Sequence, residues 1–429
     1  MKIAFVYPAV YDMARFSTTR KEIPPFGVLY LAAAAEETGA EVSIFEVYPG
    51  KISLDLQDFS IVAFSIPSSA TYELIKESRF NNVYSKDALI IVGGVHANLY
   101  PEETLLDIKP DVVVIGEGER TVQKLIQEHK KRQWPGINGI CYLEGYKVKK
   151  MPTNKYETNI DWIPFPARHL IAEPDFIMND RLANTNIRMT HIMTTRGCPF
   201  ACHFCSVFQR KMQYRSGANV KAELEYLIEK YRIEGFAIID DNFTVNKTNT
   251  MSICRSIKNL GLKWSALSRV DTVDYELLQE MHDAGCIEIK FGVESGSNKM
   301  LKVMGKNTTA NQIRNAINLA SSAGLMVKLF LIHGYPGENM ETTDETISLL
   351  QELKDAISRV SLFRFVPLPG SYVYKNAEKF RIKTEKKDWK KFHINHNNCH
   401  WWGDDNDFVI MNKAYRKLDE FINKTWPET

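Results

Sequence analysis

No apolar run in the 429-residue chain approaches the roughly twenty residues that a helix needs to cross a bilayer, so no membrane span is expected. Charge of one sign is also lacking: 54 Lys and Arg stand against 52 Asp and Glu, a net +2. That balance gives no pull toward nucleic acid or anionic lipid, and a small-molecule substrate is expected instead. Cysteine is scarce, seven in all. An odd number, with three crowded into eight positions, suits a metal site in a reducing compartment better than a disulfide framework. Cys141, Cys254, Cys286 and Cys399 are scattered. The strand-like run Ile3-Ala4-Phe5-Val6-Tyr7 follows Met1 directly, leaving no room for the basic and apolar regions of a signal peptide, so a cytoplasmic location is expected.

What is present is the composition of a globular protein, 44% hydrophobic and 25% charged, and a length that predicts two domains. In residues 1–135, β-branched runs at 2–7, 41–47, 60–66, 88–92 and 111–115 alternate with helical patterns. One of these, Gly27 to Gly39, is alanine-rich and closed by glycine. Five such strands predict a doubly wound parallel sheet. Residues 136–185, with Pro164 and Pro166 and with Pro135 just before, read as a linker. From 186 to 380 the alternation resumes on a longer period, with strands at 190–195, 236–240, 263–268, 286–292, 325–332 and 359–366. Six strand-helix units predict a partial (β/α)6 TIM-like barrel, whose chemistry sits where strands end. Residues 381–429 form a C-terminal extension, rich in lysine and aromatics, expected to pack over one end of the barrel.

The first barrel strand ends in Cys198-Pro199-Phe200-Ala201-Cys202-His203-Phe204-Cys205. Three thiolates on one tight loop can hold an iron-sulfur cubane and leave one iron without a protein ligand, free to chelate a cofactor. The competing reading is zinc on three cysteines plus His203. The run Thr195 to Cys205 resembles the radical S-adenosylmethionine (SAM) superfamily, including the aromatic Phe204 before the third cysteine. Gly292-Val293-Glu294-Ser295-Gly296 resembles that superfamily's ribose-contacting strand, and His333-Gly334-Tyr335-Pro336-Gly337-Glu338 its following loop. The resemblance implies a [4Fe-4S] cluster on Cys198, Cys202 and Cys205 and reductive cleavage of SAM to a 5′-deoxyadenosyl radical. It implies SAM contacts at Phe204, Glu294 and Ser295. Where the superfamily often has glycine-glycine-glutamate, this chain has Asp240-Asp241-Asn242; either aspartate could accept from the methionyl ammonium. Arg269 could meet the SAM carboxylate with both arms of its guanidinium, or be a surface arginine.

Residues 1–135 resemble the cobalamin-binding domain that precedes the barrel in one large radical SAM subgroup, which includes methyltransferases. Pro24-Pro25-Phe26-Gly27, Val92-Gly93-Gly94-Val95-His96 and Gly116-Glu117-Gly118-Glu119-Arg120 carry the likeness. Ligands of such sheets bind outside the carboxyl ends of the strands, which places Ser65, Gly93 and Gly94 at the cobalamin. After strand two the chain has Glu46-Val47-Tyr48-Pro49-Gly50, without the histidine that ligates cobalt in relatives that have one. His96 reads as a hydrogen-bonding residue. The family implies methyl transfer to a small molecule from methylcobalamin, with an electron donor such as flavodoxin or ferredoxin. Cyclisation or rearrangement with the same cofactors, or an amino-terminal domain that merely docks, are the alternatives. A non-catalytic cluster carrier would not need the SAM-site residues. Cys399, with His396, His400, Trp401 and Trp402 beside it, could contact substrate or donate a hydrogen atom; most scattered cysteines are buried hydrophobes.

Overall fold

The computed structural model describes residues 1–9, 23–182, 185–207, 209–383, 388–392 and 400–427. Cys399 and His396 lie outside them. Contacts divide the chain into two units, the first comprising 1–157, 162–176 and 388–392, the second 158–161, 177–387 and 393–429.

The first unit is built on β1 (Lys2–Pro8), β2 (Glu41–Val47), β3 (Ile61–Ser65), β4 (Leu89–Gly93) and β5 (Val112–Val114). These are parallel neighbours in the order β2-β1-β3-β4-β5. Helices α1 (Phe26–Glu36), α2 (Tyr72–Asn81), α3 (Pro101–Ile108) and α4 (Glu119–Glu128) make the crossovers. Strands covered by helices on both faces carry near-continuous apolar runs, as Ile3 to Val6 and Ile61 to Phe64 do. Ile3, Phe5, Ile61, Ala63, Leu89 and Ile91 pack with Val28 and Ala32 of α1 and Val122 and Leu125 of α4. The strand order reverses between β1 and β3, the switch point at which a doubly wound sheet leaves a crevice for ligand.

Part of the segment read as a linker is sheet. β6 (Ile140–Glu144) and β7 (Lys147–Lys150) form an antiparallel hairpin that extends the sheet beyond β5. It turns at Gly145, whose φ of +60° suits glycine. Pro135 and Pro152 fall outside the hairpin, where they break no ladder hydrogen bond.

The second unit holds β8 (Met178–Leu182), β9 (Thr185–Ile192), β10 (Gly235–Ile238), β11 (Lys263–Ser268), β12 (Cys286–Glu294), β13 (Met326–His333) and β14 (Arg359–Arg364), hydrogen-bonded in that order. β8 is antiparallel to β9, and the six strands from β9 on are parallel. The helices between them are α5 (Gly217–Tyr231), α6 (Lys247–Ile257), α7 (Tyr275–Asp283), α8 (Ala310–Ser322) and α9 (Met340–Glu352). The side chains of Ser216, Asn246, Asp274, Thr309 and Asn339 cap their first turns, each worth about 1 kcal/mol. The result is a curled half-barrel with its strand ends aligned.

In the tail, α10 (Asp405–Thr425) buries Met411, Ala414, Leu418 and Ile422 and makes contact with α9. Trp402 Nε1 donates to Gly334 O at 2.7 Å, past the end of β13. Residues 388–392 belong instead to the first unit, where Trp389 is 2% exposed. No helix among the described residues is long and apolar enough to cross a membrane.

Candidate active site and cofactor sites

The cysteine loop is pinched at its neck. Thr195-Arg196 pairs antiparallel with Gln213-Tyr214, and Cys198 N donates to Gln209 O at 3.0 Å. Gly197 adopts φ +89°, and a Cβ there would lie 2.5 Å from Lys211 O, so the loop entrance requires glycine. Cys202 is buried and Cys198 and Cys205 are half-buried. Burial raises the thiol pKa of Cys198 and pushes that of Cys205 up to about 11, with the carboxylate of Asp241 and the neighbouring cysteines adding to both. Iron binding at this loop must therefore displace protons. Among the described residues no three His, Cys, Asp or Glu side chains are drawn in around a single metal ion. His203 is engaged elsewhere, its Nδ1 at 2.9 Å from Val303 O and its ring stacked 4.3 Å from that of Tyr372. A donor set of three thiols on one loop matches a cubane with one open iron.

The two aspartates differ in their surroundings. Both lie just past the end of β10 (Gly235–Ile238), where the chain is irregular, and Asp240 is buried while Asp241 is exposed. Asp240 is 2% exposed and accepts from Thr194 N at 2.7 Å, Thr194 Oγ1 at 2.5 Å and Thr195 Oγ1 at 2.9 Å. Burial raises its pKa to about 6 against those bonds. Through these three bonds it anchors the root of the cysteine loop. Asp241, open to solvent on one side, sits close enough to Cys198 and Cys205 to raise both thiols. Its own carboxyl is held above the usual range by the surrounding protein, with Arg210 partly offsetting.

Arg269 is buried rather than at the surface, and the fork of its guanidinium is already taken by a carboxylate of the chain. It is 5% exposed, its Nε and Nη2 grip Asp271 at 2.8 Å each, Nη2 also donates to Lys306 O, and Nη1 lies 3.4 Å from Cys202 Sγ. Glu294 ends β12 at a register shift, in the left-handed region with φ +67°. That conformation costs a non-glycine residue on the order of 1 kcal/mol. It brings Oε1 to 2.8 Å from Lys306 Nζ, both side chains buried. Glu294 also lines a cavity of about 190 Å³ with Phe204, Ile332, Phe363, Arg364, Phe365, Val366 and Leu368. A carboxylate and a guanidinium set in a largely apolar wall suit a sugar edge and a ring face. Ser295 is turned away from this cavity: its Oγ lies 3.3 Å from Thr346 Oγ1 on α9 and accepts from Ser297 N. Lys306, Asp271 and the two threonines are the site residues that the sequence reading missed. Asp271, two residues from Arg269 in the same loop, was open to inference; Lys306, in an irregular stretch, carried no periodic signal.

In the first unit, Ser65 and Gly93 are register partners at the ends of β3 and β4. Gly93 has ordinary room, since a Cβ there would meet nothing closer than Val114 Cβ at 3.6 Å. Gly94 is different: φ is +101° and a Cβ would lie 2.6 Å from Ile66 O, so this glycine serves the chain's own crossing before any ligand. His96 is fully buried, its Nδ1 2.9 Å from Ser69 Oγ, its ring packed on Tyr72, Tyr100 and Trp389. His129 and His169 are paired with Ile126 O and Glu36. The described histidines of this unit are thus all engaged, which fits a corrinoid held without a histidine on cobalt. In the tail, His400 stacks on Phe408 and bonds Lys383 Nζ at 2.9 Å.

Residues 14–126 match the B12 binding domain and residues 192–350 the radical SAM superfamily. An uncharacterised methyltransferase of Pyrococcus horikoshii is 31% identical over 408 residues, covering 91% of this chain and 86% of its own. The chain belongs to the cobalamin-dependent radical SAM family. It is a radical SAM enzyme, methyltransferase-like, whose cofactors are a [4Fe-4S] cluster, S-adenosylmethionine and cobalamin. A further relative, the anaerobic magnesium-protoporphyrin IX monomethyl ester cyclase of Cereibacter sphaeroides, is 26% identical, covering 92% of this chain and 66% of its own. The methyltransferase TsrM from Kitasatospora setae, solved with cobalamin and a [4Fe-4S] cluster bound, shares the fold at a TM-score of 0.67 and 16% identity, covering 88% of this chain and 78% of its own.

Proposed function

We propose that this enzyme transfers a methyl group to a small molecule, with residues 1–135 as the cobalamin domain and 186–380 as the catalytic barrel, joined by 136–185 and followed by the extension 381–429. The observation that carries the reading is one chain with a sheet ordered β2-β1-β3-β4-β5 and a three-cysteine loop backed by an uncommitted carboxylate, Asp241. Cys198, Cys202 and Cys205 hold the cluster. Asp241 accepts from the ammonium group of SAM and Asp240 keeps the loop in place. Glu294, fixed through Oε1 by Lys306, offers its remaining oxygen to the ribose, and Phe204 supplies a wall of the adenosyl cavity. Ser65 and Gly93 face the corrinoid. When bound, these cofactors supply one-electron cleavage of SAM and a transferable methyl group; the protein orients them and excludes water. A flavodoxin or ferredoxin serves as electron donor, and the reaction takes place in the cytoplasm.

The relatives named include a methyltransferase and a cyclase, and coproducts separate the two chemistries. Methyl transfer should yield S-adenosylhomocysteine and 5′-deoxyadenosine in near-equal amounts, with a product heavier by one methylene unit. Deoxyadenosine without S-adenosylhomocysteine or mass gain would reject methylation in favour of cyclisation. Cys198→Ala should stop deoxyadenosine formation outright, whereas omission of corrinoid should spare some SAM cleavage and end methylation.

A further inference from the structure

Arg269 lies over the face of Phe200, 3.8 Å from the ring centroid, and Phe200 is itself part of the cysteine loop. Three polar contacts of the guanidinium face away from the loop: the two arms on Asp271 and the bond to Lys306 O. Nη1 alone points to sulfur, and it points to Cys202, the most buried of the three cysteines. The arrangement is rigid, because a planar guanidinium held by a carboxylate fork, a carbonyl and an aromatic face has no rotamer to spare.

We propose that Arg269 sets the reduction potential of the cluster through its N–H···S contact with Cys202, with Asp271 as the counter-charge that orients and moderates it. The proposal rests on the assignment of the three cysteines as ligands. Reduction brings one electron from a low-potential one-electron donor onto the cluster; no bond is made or broken and no proton moves. The added negative charge is shared with the ligand sulfurs. A hydrogen bond and a positive charge at one of them stabilise the reduced form more than the oxidised form. Burial strengthens the effect, since the local dielectric is well below that of water. Arg269 is therefore a positioning and tuning residue. Asp271 opposes it from the far side of the guanidinium, so the two should act with opposite sign.

The test uses the full-length chain, anaerobically reconstituted, with iron content and an EPR-monitored redox titration in the absence of SAM. Arg269→Met should shift the midpoint potential to more negative values by at least a tenfold change in the one-electron equilibrium constant, 59 mV. Arg269→Lys should fall between that variant and the native protein. Asp271→Asn, which leaves the cation uncompensated, should shift the potential the other way. If Arg269→Met assembles no cluster, the Lys and Asn variants decide by the same signs. Unshifted potentials, or shifts of one sign in all variants, would overturn the proposal, as a merely structural role alters cluster yield without opposite shifts. Native protein that takes up no iron would overturn the ligand assignment itself, and that outcome is distinguishable because it precedes any titration.

Discussion

Around the cysteine loop of the second unit the polar side chains other than Asp241 are already committed: Asp240 to two threonines, Arg269 to Asp271 and Cys202, Glu294 to Lys306. The strand ends of the first unit are the reverse, offering Ser65, glycines and an aromatic box of Tyr72, His96, Tyr100 and Trp389. The difference teaches how to read a substitution. In the barrel, neighbouring residues of one type have separate duties set by what surrounds each. In the amino-terminal sheet, shape and backbone approach matter more than any one charged group.

The largest effect that would break this contrast is at Trp389. Replacement by alanine removes a fully buried indole and should destabilise the first unit by about 3–5 kcal/mol. Amide hydrogen exchange should report the loss in α2 and around His96, with corrinoid retention reduced and iron loading of the barrel unchanged. Iron loss with corrinoid retained would reverse the assignment of this segment. The aspartate pair comes next. Asp240→Ala leaves buried threonine donors without their acceptor and should cost about 2–3 kcal/mol in denaturant unfolding. Asp241→Ala should leave stability within about 0.5 kcal/mol but raise the KM for SAM about ten- to hundredfold, the worth of a hydrogen bond to a charged group. A KM effect at Asp240 alone would exchange their roles.

The smallest effect is a slope with pH. Burial, with the Arg364 charge adding, lowers the pKa of His333 from 6.5 to about 3. Below pH 6.5 the unfolded chain binds a proton that the folded chain refuses. The stabilising contribution is thus full well above pH 6.5 and is lost as pH falls toward 3, by about 1 kcal/mol between pH 6.5 and 5.5. His333→Gln, which can still bond Thr343, should show a flatter profile over that window. Equal slopes would mean that the ring takes its proton in the folded state as readily as in the unfolded one.

Strand positions in both units were legible because β-branched runs bounded by glycine and polar residues leave little choice, and β1, β2 and β11 fall within a residue of expectation. The β6–β7 hairpin was hidden by prolines at its flanks. Helix α10 was hidden by charged residues that cover its outer face, although Met411, Ala414, Leu418 and Ile422 recur at helical spacing. The cysteines announced themselves by spacing. The partition between Asp240 and Asp241 did not, because identical neighbours in an irregular loop are told apart only by what the fold packs around them. Likewise, nothing local to Arg269 reveals a sulfur contributed from 67 positions away.

The return of residues 388–392 to the first unit also orders events during synthesis. The amino-terminal sheet emerges from the ribosome first, yet the indole that closes its aromatic box is made roughly 210 residues after Phe176. At about 5–20 residues per second that interval is on the order of 10–40 s. Throughout it Tyr72, His96 and Tyr100 lack their lid, so the half of the protein translated earliest waits for a segment made near the end of the chain, and a nascent chain stalled before Asp388 carries an unfinished vitamin-binding domain.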